Sequence, residues 1–237
     1  MLRALDAHKI LATLERLQLR VRERFPDAGL NLVAAELLAI GRDTATRAAF
    51  VNRPHRPLRV AAAALIIGLL ALLAAVALAV RVSGHIESVG TLVQALESAV
   101  NDVVFVGVAI WFLATVETRL KRRVALRGIH ELRSIAHVVD MHQLTKDPEL
   151  ALGLVPATTS SPERKLTRFE LSRCLDYCSE LLSLTSKLAV LYVQVFDDPT
   201  VLAAVSDVQT LTSGLSNKIW QKIMILHTTA AAPHPAP

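Results

Sequence analysis

A histidine-rich stretch, HELRSIAHVVDMHQLTKDP, carries the densest group of side chains that could do chemistry. On a helix, side chains three or four residues apart share a face, which places His130, Ser134, His137 and Met141 together. Imidazole and carboxylate groups on one face can bind a divalent metal. His130 and His137 are about 10 Å apart along a helix axis, too far for one ion. The more workable pairs are His137 with Asp140, or Asp140 with a group of a neighbouring subunit, and no resident metal or cofactor is expected.

A polar interface between helices or subunits accounts for this stretch better than an active site does. The zincin pattern is absent, since the residue four positions after His130 is Ser134. The serines lie in helical patterns without a glycine elbow, so the sequence does not predict an enzyme. A pH-responsive interface is an alternative, because histidine titrates near neutrality. The interface or regulatory candidates are His130, Glu131, Ser134, His137, Asp140 and His142.

A second candidate group lies near the end of the chain, in NKIWQKIMIL. Lys218 and Lys222 are one helical turn apart, with Trp220 between them. Two lysines beside a tryptophan are typical of a surface that rests on anionic lipid or holds an anionic ligand. The alternative is an ordinary bundle helix with a solvated lysine edge.

The elements that must position these residues include a long apolar helix. Residues 58–80 carry one charge, Arg59, followed by VAAAALIIGLLALLAAVALAV, which is close to the ~20 residues that a membrane-spanning helix needs. The mean hydropathy of the whole chain is +0.42, and 52% of its 237 residues are apolar. Inside lipid every backbone amide must be paired locally, so this run is predicted to be a transmembrane helix.

A second predicted span, VVFVGVAIWFLATV, is shorter and has polar ends. To reach full thickness it must recruit polar neighbours on either side, and a re-entrant segment is the alternative. An acidic residue at a membrane boundary costs about 1–3 kcal/mol unless it faces water, headgroups or a protein partner. If several copies of the chain assemble around an axis, such acidic residues would form a ring like those that line cation pores. The alternative is that they simply lie at the membrane interface, which requires no pore. The pore-lining candidates are Glu97, Asn101, Asp102, Thr115 and Glu117.

Flanking charge predicts the orientation. Several arginines precede the first span and a basic run follows the second, whereas the connection carries Arg81 against Glu87, Glu97 and Asp102. Basic residues stay on the cytoplasmic side, so both termini are predicted to be cytoplasmic. The same rule accounts for the net charge of +5, which makes nucleic acid an unlikely partner.

The remaining pattern predicts an all-α integral membrane protein with a cytoplasmic helical bundle. Residues 1–57 read as a helical hairpin with a break near Pro26 and an N-cap at Asn31. Residues 58–118 form the transmembrane hairpin, with an outer amphipathic helix at about 83–100. Residues 119–228 form a cytoplasmic helical domain in which helices begin near Pro162 and Pro199. Residues 229–237, TAAAPHPAP, are predicted to be disordered.

Four segments carry a resemblance that covers nearly the whole chain: RERFPDAGL, LESAVNDVVFVGVAIWFLATVETRLKRR, HELRSIAHVVDMHQLTKDP and LSNKIWQKIMIL. Together they resemble an uncharacterised family of bacterial proteins with two transmembrane helices. That resemblance implies a fold and a location in the bacterial inner membrane, but no activity, so it assigns no functional residue. The layout is also similar, in architecture alone, to two-span effectors of bacterial anti-phage systems.

The sequence therefore predicts an oligomeric membrane protein that conducts ions or permeabilises the membrane under control of its cytoplasmic helices. Small residues one turn apart, Ala64 and Gly68, favour close helix approach and thus a homo-oligomer. The alternative is a membrane-anchored scaffold or adaptor that binds a cytoplasmic protein without transport. Membrane lipid, further copies of the chain and a cytoplasmic protein or anionic ligand are the expected partners.

Overall fold

The structure is a computed structural model that describes residues 4–83, 89–156, 158–161, 166–194 and 196–231. Within these ranges the chain is all-helical and contains no strand, as the sequence predicts. The helices are α1 (Ala7–Arg24), α2 (Gly29–Asn52), α3 (Arg56–Ser83), α4 (Val89–Leu144), α5 (Pro148–Ala151), α6 (Arg168–Val190) and α7 (Pro199–Ala231).

The chain divides into two compact units, Met1–Asn52 with Arg122–Pro237, and Arg53–Lys121. The first unit therefore joins the N-terminal hairpin to the C-terminal helices, which the sequence had separated into two domains. In it α1 packs on α2 and α6, α2 packs on α6, and α7 packs on α5 and α6. Its core is built mainly from leucine, with the largest fully buried aliphatic side chains being Leu14, Leu17, Leu37, Leu132, Leu175, Leu181, Leu182, Leu188, Ile219 and Leu226.

Hydrophobic spacing explains which faces are buried. In α1, Ile10, Leu14, Leu17 and Val21 recur every three or four residues, as on one face of a helix, and all four are buried. Leu5 precedes the helix and remains exposed. The side chain of Asp6 caps this helix by accepting a hydrogen bond from the His8 amide.

Helix starts differ from the sequence prediction at two places. The N-cap prediction at Asn31 is wrong, because α2 already begins at Gly29 and the Asn31 side-chain amide donates to the Pro26 carbonyl at 3.2 Å. The sixth helix begins at Arg168, where Thr167 and Glu170 form a capping box, whereas the start predicted near Pro162 falls in 162–165, outside the described residues. The predicted start at Pro199 is confirmed.

The predicted outer helix is not a separate element where the structure describes it. Residues 89–100 form the first turns of α4, which continues without a break to Leu144. Residues 84–88 lie outside the described residues, as do residues 232–237 of the predicted disordered tail. Residues 229–231 of that tail belong to α7.

The second unit is dominated by exposed apolar side chains. Two helices are long and apolar enough to cross a membrane, with candidate spans within Gly29–Leu72 and Val100–Ala151 and mean hydropathies of 1.5 and 1.8 in their most apolar windows. Only 0% and 6% of those two windows are buried. Exposed apolar residues in the unit include Val60, Leu65, Ile67, Leu72, Leu78, Val103, Phe105, Val108 and Trp111.

Candidate functional site

Three of the five pore-lining candidates are exposed polar side chains near one another on α4. Glu97 and Asn101 are one helical turn apart, and Asp102 follows directly. None of the three makes a hydrogen bond or ion pair with another residue of the described chain. These side chains are therefore free to face water, headgroups or another copy of the chain.

The other two pore-lining candidates already have partners. The Thr115 hydroxyl donates to the backbone carbonyls of Trp111 and Phe112, at 2.9 and 3.2 Å. This bond satisfies the hydroxyl within its own helix, as serine and threonine often do in apolar helices.

Glu117 has more polar partners than any other carboxylate among the described residues of the second unit. Arg59 Nε donates to it at 2.5 Å, Lys121 Nζ lies 2.9 Å from it, and the His55 amide donates to it at 3.3 Å. The Glu117 side chain is only 12% exposed, and that of Lys121 only 10%. Glu117 therefore connects the start of α3 to α4 and neutralises a buried lysine.

An arginine and two aromatic rings lie close to this carboxylate in the sequence. The Arg119 guanidinium is 4.7 Å from the centre of the Trp111 ring and 4.9 Å from that of Phe112. Such contacts add a cation–π attraction. Tryptophan and arginine of this kind are typical of the boundary between hydrocarbon and headgroups.

The histidine-rich stretch separates into different environments. His130 and His137 are exposed, and the Ser134 hydroxyl donates to the His130 carbonyl at 3.0 Å. Asp140 accepts a hydrogen bond from Gln143 Nε2 at 2.6 Å. No group of three histidine, cysteine or acidic side chains within the described ranges is close enough to hold a metal ion.

Two members of this stretch contact α2. Glu131 forms an ion pair with Arg47, and this hydrogen bond raises the pKa of the arginine. His142 packs against the first residue of α2, since a Cβ on Gly29 would lie 2.4 Å from His142 Cε1. Burial, with a smaller contribution from Lys146, lowers the pKa of His142. These contacts place Glu131 and His142 between helices of the same chain.

The predicted lysine and tryptophan group does not act as one surface. Lys218 and Trp220 are exposed, but Lys222 turns inward and donates to the Gln143 carbonyl at 2.7 Å. Burial lowers the pKa of Lys222. The structure therefore joins the end of the histidine-rich stretch to α7 through Lys222, and leaves Lys218 and Trp220 free to meet lipid or ligand.

An open groove between α2 and α4 was missed by the sequence analysis. It has a volume of about 740 Å³, and its floor is apolar. The signal that could have revealed it is the spacing of four and three residues that places Arg123, Arg127 and His130 on one face of α4. The groove is lined by Glu36, Ile40, Arg123, Leu126, Arg127, His130, Glu131, Ser134, Ile135 and Val138.

The two cysteines lie on one face of α6, as their spacing predicts, and both are free and buried. A hydrogen bond between the two thiols lowers the pKa of Cys174, whereas the same bond and burial raise the pKa of Cys178.

Comparison of the chain with protein-family models, curated proteins and solved structures finds no match.

Proposed function

We propose that this chain is an oligomeric protein of the bacterial inner membrane that crosses the bilayer twice. In this proposal α3 and the first part of α4 are the spans, and both termini are cytoplasmic. The exposed apolar side chains support it, because a core helix of a soluble protein would have most of this surface buried. The contact of Arg119 with Trp111 is consistent with a boundary at that end.

We further propose that the assembled protein conducts ions or permeabilises the membrane. The observation that carries this is the exposed group Glu97, Asn101 and Asp102, which has no partner among the described residues and directly precedes the apolar run 103–116 of α4. Carboxylates in such a helix are costly against lipid, but several copies around an axis would place them in water as a cation-attracting ring. The cytoplasmic helices would then control opening.

Purified full-length protein in planar bilayers tests the proposal by single-channel recording. Wild-type protein should pass cations, and the double variant Glu97→Gln/Asp102→Asn should lower the conductance or the cation selectivity. Asp207→Asn is the matched control, since Asp207 is an exposed carboxylate of α7 and no partner of it is found among the described residues. Absence of conductance, with or without cell extract to supply a trigger, would refute the channel.

A membrane-anchored scaffold or adaptor is the second candidate, and the exposed Lys218 and Trp220 of α7 are the observation that favours it. Under this function the Asp102→Asn protein would behave as wild type in every assay. Charge reversal at exposed Lys218 would instead abolish the capture of a cytoplasmic partner by the full-length chain.

A further inference from the structure

The groove between α2 and α4 combines an apolar floor with a basic end. Ile40, Leu126 and Val138 contribute to the floor, whereas Arg123 and Arg127 stand one helical turn apart on α4. A volume of about 740 Å³ lies within the roughly 300–1,000 Å³ typical of small-molecule sites. The shape and chemistry suit an amphiphile with an anionic head.

Within the described ranges, no acidic side chain neutralises the two arginines. Neither Arg123 nor Arg127 has an ion pair with a residue of the described ranges, and like charges one turn apart on a helix repel each other. The closest acidic residue in sequence, Glu131, is already paired with Arg47. This end of the groove therefore has unused positive charge.

The one other acidic residue of the groove lies toward its opposite end. Gly29 contacts His142 and Arg47 pairs with Glu131, so α2 and this part of α4 run antiparallel. Glu36 is nearer in sequence to Gly29 than to Arg47, which places it toward the His142 end. An anionic group beside Arg123 and Arg127 would avoid that carboxylate.

We propose that this groove binds an anionic phospholipid, with the phosphate at Arg123 and Arg127 and an acyl chain along the apolar floor. The proposal rests on the membrane anchoring proposed above. Arg123 follows Val116, the last residue of the apolar run, by seven residues, so even an extended chain holds it within about 25 Å of that residue. Phospholipid headgroups are therefore the anionic amphiphiles nearest to the site, and each arginine strengthens their binding about fivefold.

Native mass spectrometry of the full-length protein in detergent tests the site. Wild type should bind phosphatidylglycerol at least about tenfold more tightly than phosphatidylcholine. Arg123→Gln/Arg127→Gln should lose that preference, and Val138→Asn should weaken the binding of both lipids. Arg133→Gln is the matched control, because Arg133 is exposed on the same helix and does not line the groove.

Several outcomes would overturn the proposal. These are equal affinity for the two lipids, a preference that survives in the double arginine variant, or inorganic phosphate binding as tightly as the lipid. If the wild-type spectrum instead showed a dimer, and the arginine variants were monomers, the groove would be an interface between two copies of the chain. Lipid binding in detergent requires neither membrane insertion nor conductance. Carbonate extraction measures insertion and bilayer recording measures conductance, so failure of the lipid site can be distinguished from failure of the proposed function.

Discussion

The Tyr192 hydroxyl lies against the backbone of Gly128, so closely that a Cβ on the glycine would be 2.0 Å from the hydroxyl oxygen. The ring is fully buried and cannot swing away. Gly128→Ala should therefore lower the free energy of unfolding by about 1–3 kcal/mol, as overpacking does. Thermal unfolding of the full-length protein in detergent measures this loss.

Two further variants separate this clash from a general effect of glycine. Gly214→Ala is the matched control, because a Cβ there meets nothing within 4 Å and alanine favours the helix by about 1 kcal/mol. The Tyr192 hydroxyl makes no hydrogen bond of ordinary geometry with the described residues, and only Thr44 and Arg47 lie near enough to interact with it, so Tyr192→Phe should cost less than 1 kcal/mol, roughly one weak hydrogen bond. Added to Gly128→Ala, it should recover part of the lost stability. A Gly128→Ala protein as stable as Gly214→Ala would contradict the close approach.

Asp198 both caps α7 and pairs with Arg122. One carboxylate oxygen accepts the amides of Thr200 and Val201 at 3.0 and 3.2 Å, and the other lies 2.7 Å from Arg122 NH2. Asp198→Ala should cost about 2–4 kcal/mol, whereas Asp198→Asn, which keeps the cap, should cost about 1–2 kcal/mol. Denaturant unfolding compares them, and equal losses would show that the cap contributes little.

The same carboxylate predicts a loss of stability in acid. Burial opposes ionisation of Asp198, but the bonds from Arg122 and the two amides outweigh it and lower its pKa. Its contribution is present above the pKa of the unfolded chain and disappears as pH falls through the lowered pKa of the folded state. The stability of Asp198→Ala should therefore fall less steeply in acid than that of wild type.

Local patterns predicted the helices better than they predicted the contacts between them. The stripe of α1 follows from spacing alone, and Pro199 marks a helix start because its fixed φ suits the first turn. Pro162 offered an equally good local signal, yet α6 begins at Arg168, where the Thr167 and Glu170 side chains satisfy the helix amides reciprocally. Periodicity could not choose between two competing start signals.

The long-range contacts were beyond a reading of local sequence. Lys222 reaches a carbonyl 79 residues earlier in the chain, and nothing in either segment specifies that pairing. Glu117 is predicted to line a pore, and that role stays a prediction. Its contact with Arg59 could not be read from the local sequence, because it depends on how α3 and α4 pack, whereas Lys121 is one turn away on the same helix. The groove was missed because Arg123 and Arg127 read equally well as topology-setting charges.

His142 predicts a second pH effect, of the same sign but nearer neutrality. Because its pKa is lowered in the folded chain, the unfolded chain binds more protons between that lowered pKa and about 6.5, and stability should fall as pH drops through this window. His142→Gln should remove this part of the pH dependence. His137→Gln, at an exposed position of the same helix, is the control and should keep it. Thermal unfolding of the three proteins between pH 5 and pH 8 measures it; parallel profiles for wild type and His142→Gln would be the contrary result.

Glu117 and Asp102 are two carboxylates of one helix for which opposite results are expected. Glu117→Gln keeps the shape of the side chain but leaves buried Lys121 without a negative partner, which should cost about 1–3 kcal/mol of stability. Asp102→Asn removes an exposed charge that no residue of the described chain contacts, so the unfolding midpoint should not move. Thermal unfolding in one detergent compares the two variants with wild type. If Glu117→Gln also left the midpoint unchanged, the contacts of this carboxylate with α3 and with Lys121 would not stabilise the fold. Buried Lys121 would then need no negatively charged partner.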